Sequence, residues 1–292
     1  MALDQKRLLK PVKKLRKLVS KMERQAPPEK VRDLRTNTRR LEAIFEALSL
    51  DQQGTGKSMI KDLKRFRKRA GKVRDMDVLT SYAATVHLEG EEECAGQLLE
   101  HLGVQRRKYA RKLVAEIKRL GPPLEKDLKR TPVVFAKCIR RNGDATEVAA
   151  NAAAIAVKLA AQLGTPPHLG RDNLHAYRLK IKDLRNVLQM AAGDSPRFVL
   201  DLREVKDAIG EWHDWEQLVS TAQKALDHGS RCALLTELKH IAGRQYDHAL
   251  ILAQRLRKTY LRTARAGKNG SSAASHKVPG DPVWDAIAIL AA

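Results

Sequence analysis

The sequence predicts an all-α protein built of helix bundles. Three observations carry this. Apolar residues recur three and four positions apart along nearly the whole chain. The alternation expected of half-buried strands is almost absent. And 43% of the 292 residues are hydrophobic, enough to bury cores despite 56 Lys plus Arg against 34 Asp plus Glu.

The elements follow in order. Residues 3–24 carry Leu8, Val12, Leu15, Val19 and Met22 on one face and Lys6, Lys10, Lys13, Lys17 and Arg24 on the other. Pro27 and Pro28 end that helix. A second helix is expected over about 29–50. A third covers about 58–70 and breaks at Gly71, and another runs from near Asp75 to about Val86. Residues 91–120 read as one long helix closed by "GPP" at 121–123, with a short segment around 124–141. "TEVAANAAAIAVKLAAQL" predicts an Ala-rich helix stopped by "GTPPHLG". Helices then follow at about 171–192, 196–228 (interrupted near Gly210) and 230–264. "AGKNGSSAASHKVPGDP" is a flexible linker by composition, and "VWDAIAILAA" is a short apolar segment suited to docking on the body or on a partner.

Charge narrows the function classes. The formal net charge is +22 and the pI near 10.1. A folded protein with such a surplus repels itself, and an anionic partner is the usual reason to carry it. Aromatics are only 4%, which argues against single-strand binding by base stacking. Cys94, Cys138 and Cys232 lie far apart with no paired Cys/His spacing, so they read as buried thiols in a reducing cytoplasm, with no metal site. "MALDQKRLLKPVKKL" has no long apolar run, so no signal peptide is expected, and no stretch approaches the apolar length of a membrane span.

One motif invites a nucleotide-binding reading. Gly54–Ser58 spell GTGKS, close to the end of a phosphate-binding P-loop. That loop needs a glycine five residues before Gly56, where Asp51 stands, and a preceding buried strand. The preceding "RRLEAIFEALSL" spaces Leu41, Ile44, Phe45 and Leu48 as a helix does. The stretch is a Gly-rich connection between helices.

The chain also repeats itself. "VRDLRTNTRRLEAIFEAL" at 31–48 lines up with "LHAYRLKIKDLRNVLQMA" at 174–191, matching Arg32, Arg35 and Arg39 to His175, Arg178 and Lys182. "LKRFRKRAGKVRDMDVL" at 63–79 lines up with "LREVKDAIGEWHDWEQL" at 202–218, Gly71 against Gly210 and Asp75 against Asp214. Two halves of about 130 residues repeat one helical unit. The i, i+3, i+7 spacing stacks these cations on one helix face, beside the apolar stripe Val31, Leu34, Thr38, Leu41, Phe45. Lys61, Lys64, Arg65, Lys68 and Lys72 oppose Ile60, Leu63, Phe66 and Ala70, while His175, Arg178, Lys182 and Arg185 run beside Leu174, Tyr177, Ile181 and Leu188. A solvated helix face normally mixes signs. Stripes nearly free of acids, recurring in both halves, point to a polyanion-binding surface.

At "VRDLRTNTRRLE", "AGKVRDMDVL", "LHAYRLKIKDLR" and "IGEWHDWEQL" the sequence resembles the CHAD domain (conserved histidine α-helical domain) family, over about residues 5–265. Each motif is weak alone; four in order make the resemblance specific. The departure is Arg32, where the family carries its first histidine. A histidine-dependent metal or acid–base role is thereby lost there, while a cationic contact survives. The resemblance implies two four-helix bundles related by pseudo-twofold symmetry, with inorganic polyphosphate bound in a basic groove or pore between them. It divides the chain into halves at 1–141 and 142–265 and a tail at 266–292. By position it implies phosphate contacts from Arg32, Arg35, Arg39, Arg40, Lys64, Lys68 and Arg74, and from His175, Arg178, Lys182, Arg185, Lys206 and His213. Lys6, Lys10, Lys13 and Lys17 extend the groove. Arg suits phosphate through its two-pronged fork and Lys as a point charge.

Asp75 and Asp214 are expected to orient a neighbouring arginine or cap a helix. No compact Asp/Glu cluster beside the stripes would hold catalytic magnesium, and "EGEEEC" at 89–94 sits in helical, acidic text rather than in a triphosphate tunnel barrel. The expectation is binding without catalysis or cofactor, in the cytoplasm and with polyphosphate-containing granules as a candidate location. The alternative is a helical protein that binds the backbone of DNA or RNA.

Overall fold

A computed structural model of the chain describes residues 5–48, 50, 54–141, 145–165, 168–191, 197–227 and 232–261. Among these are eight α-helices and no strand: α1 (Gln5–Ser20), α2 (Pro28–Ala47), α3 (Gly54–Ala83), α4 (Glu92–Arg141), α5 (Ala145–Gly164), α6 (Leu174–Ala191), α7 (Arg197–Ala225) and α8 (Ala233–Tyr260). None is long and apolar enough to cross a membrane. The linker and the "VWDAIAILAA" segment lie outside the described residues.

The chain divides into two compact units. The first comprises Met1–Ala145 and Ser220–Thr236, the second Thr146–Val219 and Glu237–Ala292. In the first, α1 packs on α2 and α4, α2 on α3, and α3 on α4, which closes a ring of neighbours. Its core takes Leu15 from α1, Leu34 and Leu41 from α2, Leu63 and Phe66 from α3, and Leu113, Leu128 and Phe135 from α4. Thr38 is buried beside them and turns its hydroxyl back to the Arg35 carbonyl at 2.9 Å, which satisfies it inside its own helix. In the second unit one cluster gathers Ala156 and Leu163 of α5, Tyr177 and Ile181 of α6, Leu202 and Ile209 of α7, and Leu252 and Leu256 of α8.

Three expected breaks are absent. Gly71 lies inside an unbroken α3 and Gly210 inside an unbroken α7. A helix-interior glycine costs only about 0.5–1 kcal/mol. The buried Ala70 and Val73 around Gly71, and Ile209 and Trp212 around Gly210, hold each helix through it. "GPP" does not close α4, which continues through Pro122, Pro123 and Pro132. Each proline costs about 3 kcal/mol. Continuing the helix keeps Leu120, Leu124, Leu128 and Phe135 buried, at about 1.5–3 kcal/mol each, so the two effects are of one size. Gly121 is where α1 approaches α4: a Cβ there would stand 3.0 Å from Val19 Cγ1.

The GTGKS residues are not a loop either. They form the first turns of α3, and a Cβ on Gly56 would meet the Leu50 carbonyl oxygen at 1.9 Å. The glycine admits the chain's own backbone. With a helix before it and no strand, the nucleotide-loop geometry is missing.

Candidate functional site

The α6–α7 seam of the second unit holds most of the predicted second-half residues. His175 on α6 and His213 on α7 face each other with ring centroids 4.3 Å apart and planes tilted by 31°. Asp214 Oδ1 lies 3.8 Å from His213 Nδ1. His175 Nδ1 is buried with no hydrogen-bond partner among the described residues. Burial, then the neighbouring His213 and Arg178 charges, hold the His175 pKa below its ordinary value, with Asp214 opposing. One turn along α6, Arg178 donates from Nε to the Lys206 carbonyl of α7 at 3.2 Å. Its guanidinium lies over Gly210, where a Cβ would come within 2.8 Å of Nη2. Gly210 is thus the seat of Arg178.

The stripe expected to be nearly free of acids has acidic neighbours that pair with its cations. Lys182 lies 3.4 Å from Asp183, Lys206 pairs with Asp207, and Arg203 reaches Asp207 at 3.6 Å. The reason is helical geometry: each acid is a sequence neighbour of a stripe cation or sits one turn away, close enough to partner it sideways. Arg185 is half-buried, its Nε without a partner among the described residues and its pKa pressed down by burial and by Arg203, with Asp207 opposing.

In the first unit the matching seam lies between α2 and α3. Arg35 Nη1 stands 3.6 Å from Asp75 Oδ1, and Arg67 Nε donates to Glu42 Oε1 at 3.1 Å, so both pairs cross from helix to helix. Arg32 and Arg74 occupy the aligned places of the two stacked histidines. Arg32, Arg39 and Arg40 are exposed on α2, Lys64 and Lys68 on α3, and Lys10, Lys13 and Lys17 on α1; Arg74 is half-buried on α3. Among the described residues Arg32, Arg40, Lys64, Lys68 and Arg74 form no ion pair. Arg40 stands about 80° around α2 from Arg32, away from the Arg35 side, so it borders the stripe rather than joining it. Lys6 falls within α1, but its side chain lies outside the described residues.

Residues 6–223 match the CHAD domain, three quarters of the chain. The chain belongs to the CHAD domain family. No curated protein and no solved structure matches it.

Within this CHAD protein the seam of the second unit thus carries two imidazoles, His175 and His213, where the first unit carries Arg32 and Arg74 at the aligned places. Asp75 lies beside Arg35 and Asp214 beside His213. Among the described residues the one grouping of three potential metal ligands is Glu91, Cys94 and Cys232, a set that sequence reasoning missed. Glu91 and Cys94 are three positions apart, a possible signal, but nothing in the sequence couples them to Cys232. The Cys94 thiol is pushed up to about 12 by burial and by the Glu91 and Cys232 contacts, so it is no ready nucleophile.

Proposed function

We propose that this CHAD-family protein binds inorganic polyphosphate, without catalysis, through the cationic faces of α2 and α3 in the first unit and of α6 and α7 in the second. The observation that carries this is the set Arg32, Arg40, Lys64, Lys68 and Arg74, charged groups that no acid neutralises among the described residues. An exposed cation with no internal partner costs the fold self-repulsion and returns nothing until an anion arrives. Polyphosphate supplies about one negative charge per phosphate and offers no bases to read, which suits a surface rich in Arg and Lys and poor in aromatics. The reading takes each unit as a four-helix bundle, one copy of the repeated motif pair. The ring of neighbours α1–α2–α3–α4 and the single core drawn from α5 to α8 support it. The halves at 1–141 and 142–265, and a cytoplasmic or granule-associated location, belong to the same proposal.

The test is a competition. Long-chain polyphosphate should displace duplex DNA or RNA from the protein, while nucleic acid should fail to displace polyphosphate at equal phosphate concentration. Arg35→Glu combined with Arg178→Glu should lower polyphosphate affinity by at least roughly a hundredfold, from two lost charge-assisted bonds of about 1.5–3 kcal/mol each. Lys57→Ala at the start of α3 should change it by well under tenfold, with circular dichroism showing helices intact in both. Preference for nucleic acid, or the reverse ordering of the two variants, overturns the reading.

A further inference from the structure

We propose that Glu91, Cys94 and Cys232 form a binding site for one divalent metal ion of the zinc class, separate from the polyphosphate reading and independent of it. All three residues belong to the first unit. Glu91 immediately precedes α4, Cys94 sits in its first turn, and Cys232 immediately precedes α8. One ligand atom from each lies within 4.8 Å of the others, and both cysteines are buried. The Cys232 Sγ to Glu91 Oε2 distance is already 3.4 Å. A tetrahedral zinc with Zn–S near 2.3 Å and Zn–O near 2.0 Å needs ligand-to-ligand edges of about 3.5–3.8 Å. The set therefore has to contract by about 1.3 Å at most.

The surroundings suit anionic ligands. Glu91 Oε1 accepts the Ala233 N–H at 3.1 Å, and Cys232 Sγ accepts the Leu235 N–H at 3.4 Å. These donors are backbone groups of the first turn of α8, and the N-terminus of α4 adds a second positive helix end. Such contacts orient the ligands and offset the charge they gain. On binding, the two thiols give their protons to solvent, and the metal takes two S–M bonds and one O–M bond. The resulting centre carries a net charge of −1. Water fills the fourth position from the partly exposed Glu91 side. Two thiolates select a soft or borderline ion over magnesium or calcium. The bound ion would tie the start of α8 to the start of α4.

Co²⁺ titrated into the reduced full-length protein under nitrogen tests this. One equivalent should produce thiolate-to-cobalt charge transfer in the near ultraviolet and visible bands of tetrahedral intensity. One equivalent of Zn²⁺ should erase both and raise the thermal midpoint. Cys94→Ser and Cys232→Ser should each weaken the charge-transfer band and lower affinity at least a hundredfold. Glu91→Gln should keep the band and lower affinity at least tenfold, and Cys138→Ser should change nothing. The proposal fails if the reduced native protein, both thiols reactive on denaturation, shows no such bands. It also fails if the bands survive in the double serine variant, or if the pair is isolated as a disulfide and takes up no metal after reduction. The wild-type titration decides the matter even if a variant does not fold.

Discussion

His175 and His213 face each other across the α6–α7 seam with ring centroids 4.3 Å apart. The His175 pKa is lowered in the fold, chiefly by burial. The folded protein then binds fewer protons there than the unfolded chain does. Its contribution to stability is present above the unfolded value of about 6.5 and is lost as pH falls below that value. A bound polyanion favours the charged imidazole and reverses the preference. Polyphosphate affinity should therefore rise between about pH 7.5 and pH 5.5, with proton uptake seen as a buffer-dependent heat in calorimetry. His175→Gln with His213→Gln should flatten that dependence. A slope that survives the double substitution assigns the pair a packing role alone.

Among the elements, one arginine ties α4 to two of its neighbours. Arg106 Nε donates to Asp77 Oδ1 of α3 at 2.6 Å, and its two terminal nitrogens reach the Gln25 carbonyl at 3.1 Å and the Ala26 carbonyl at 3.0 Å. One side chain thus fixes α4 against α3 and against the link from α1 to α2. Ala26 is buried at a positive φ of 47°, a strained setting for alanine that those contacts help to hold. Asp77 is buried, and removing its partner strands a charge. Arg106→Ala should lower stability by about 3 kcal/mol, or roughly 6–12 °C in thermal midpoint. Arg106→Ala with Asp77→Asn should recover part of that loss by removing the stranded charge. A calorimetric scan that finds the double variant no better than the single one would assign Arg106 to its carbonyl contacts instead.

At the scale of the molecule, net charge sets how binding responds to salt. The formal charge of +22 rests mostly on helices that also supply the cores. If about six phosphates are neutralised together, log K should fall against log salt with a slope of about −4, by analogy with single-stranded nucleic acid. Affinity then drops on the order of a hundredfold between roughly 50 and 200 mM salt. Titration at those two concentrations checks it, and a flat response, or equal affinity for monophosphate, refutes multivalent capture.

The sequence by itself determined that the chain is helical, which faces are buried, and which family it belongs to. Those properties follow from spacing along one helix: Val31, Leu34, Thr38, Leu41 and Phe45 are all buried as their i, i+3, i+4 pattern required. The motif cations were legible for the same reason. Helix ends were not, because Gly71, Gly210 and the prolines of α4 carry local penalties of a few kcal/mol at most, and burial elsewhere on the helix is as large. The tertiary structure alone decided what lies across each seam. It set Arg178 against Gly210, paired Lys206 with Asp207, and left Arg32 in no ion pair among the described residues. It also brought Cys232 to Glu91 and Cys94 across more than a hundred residues of chain. Spacing fixes neighbours within about a turn or two of helix, whereas a contact between helices depends on packing angle and register, which no local pattern records.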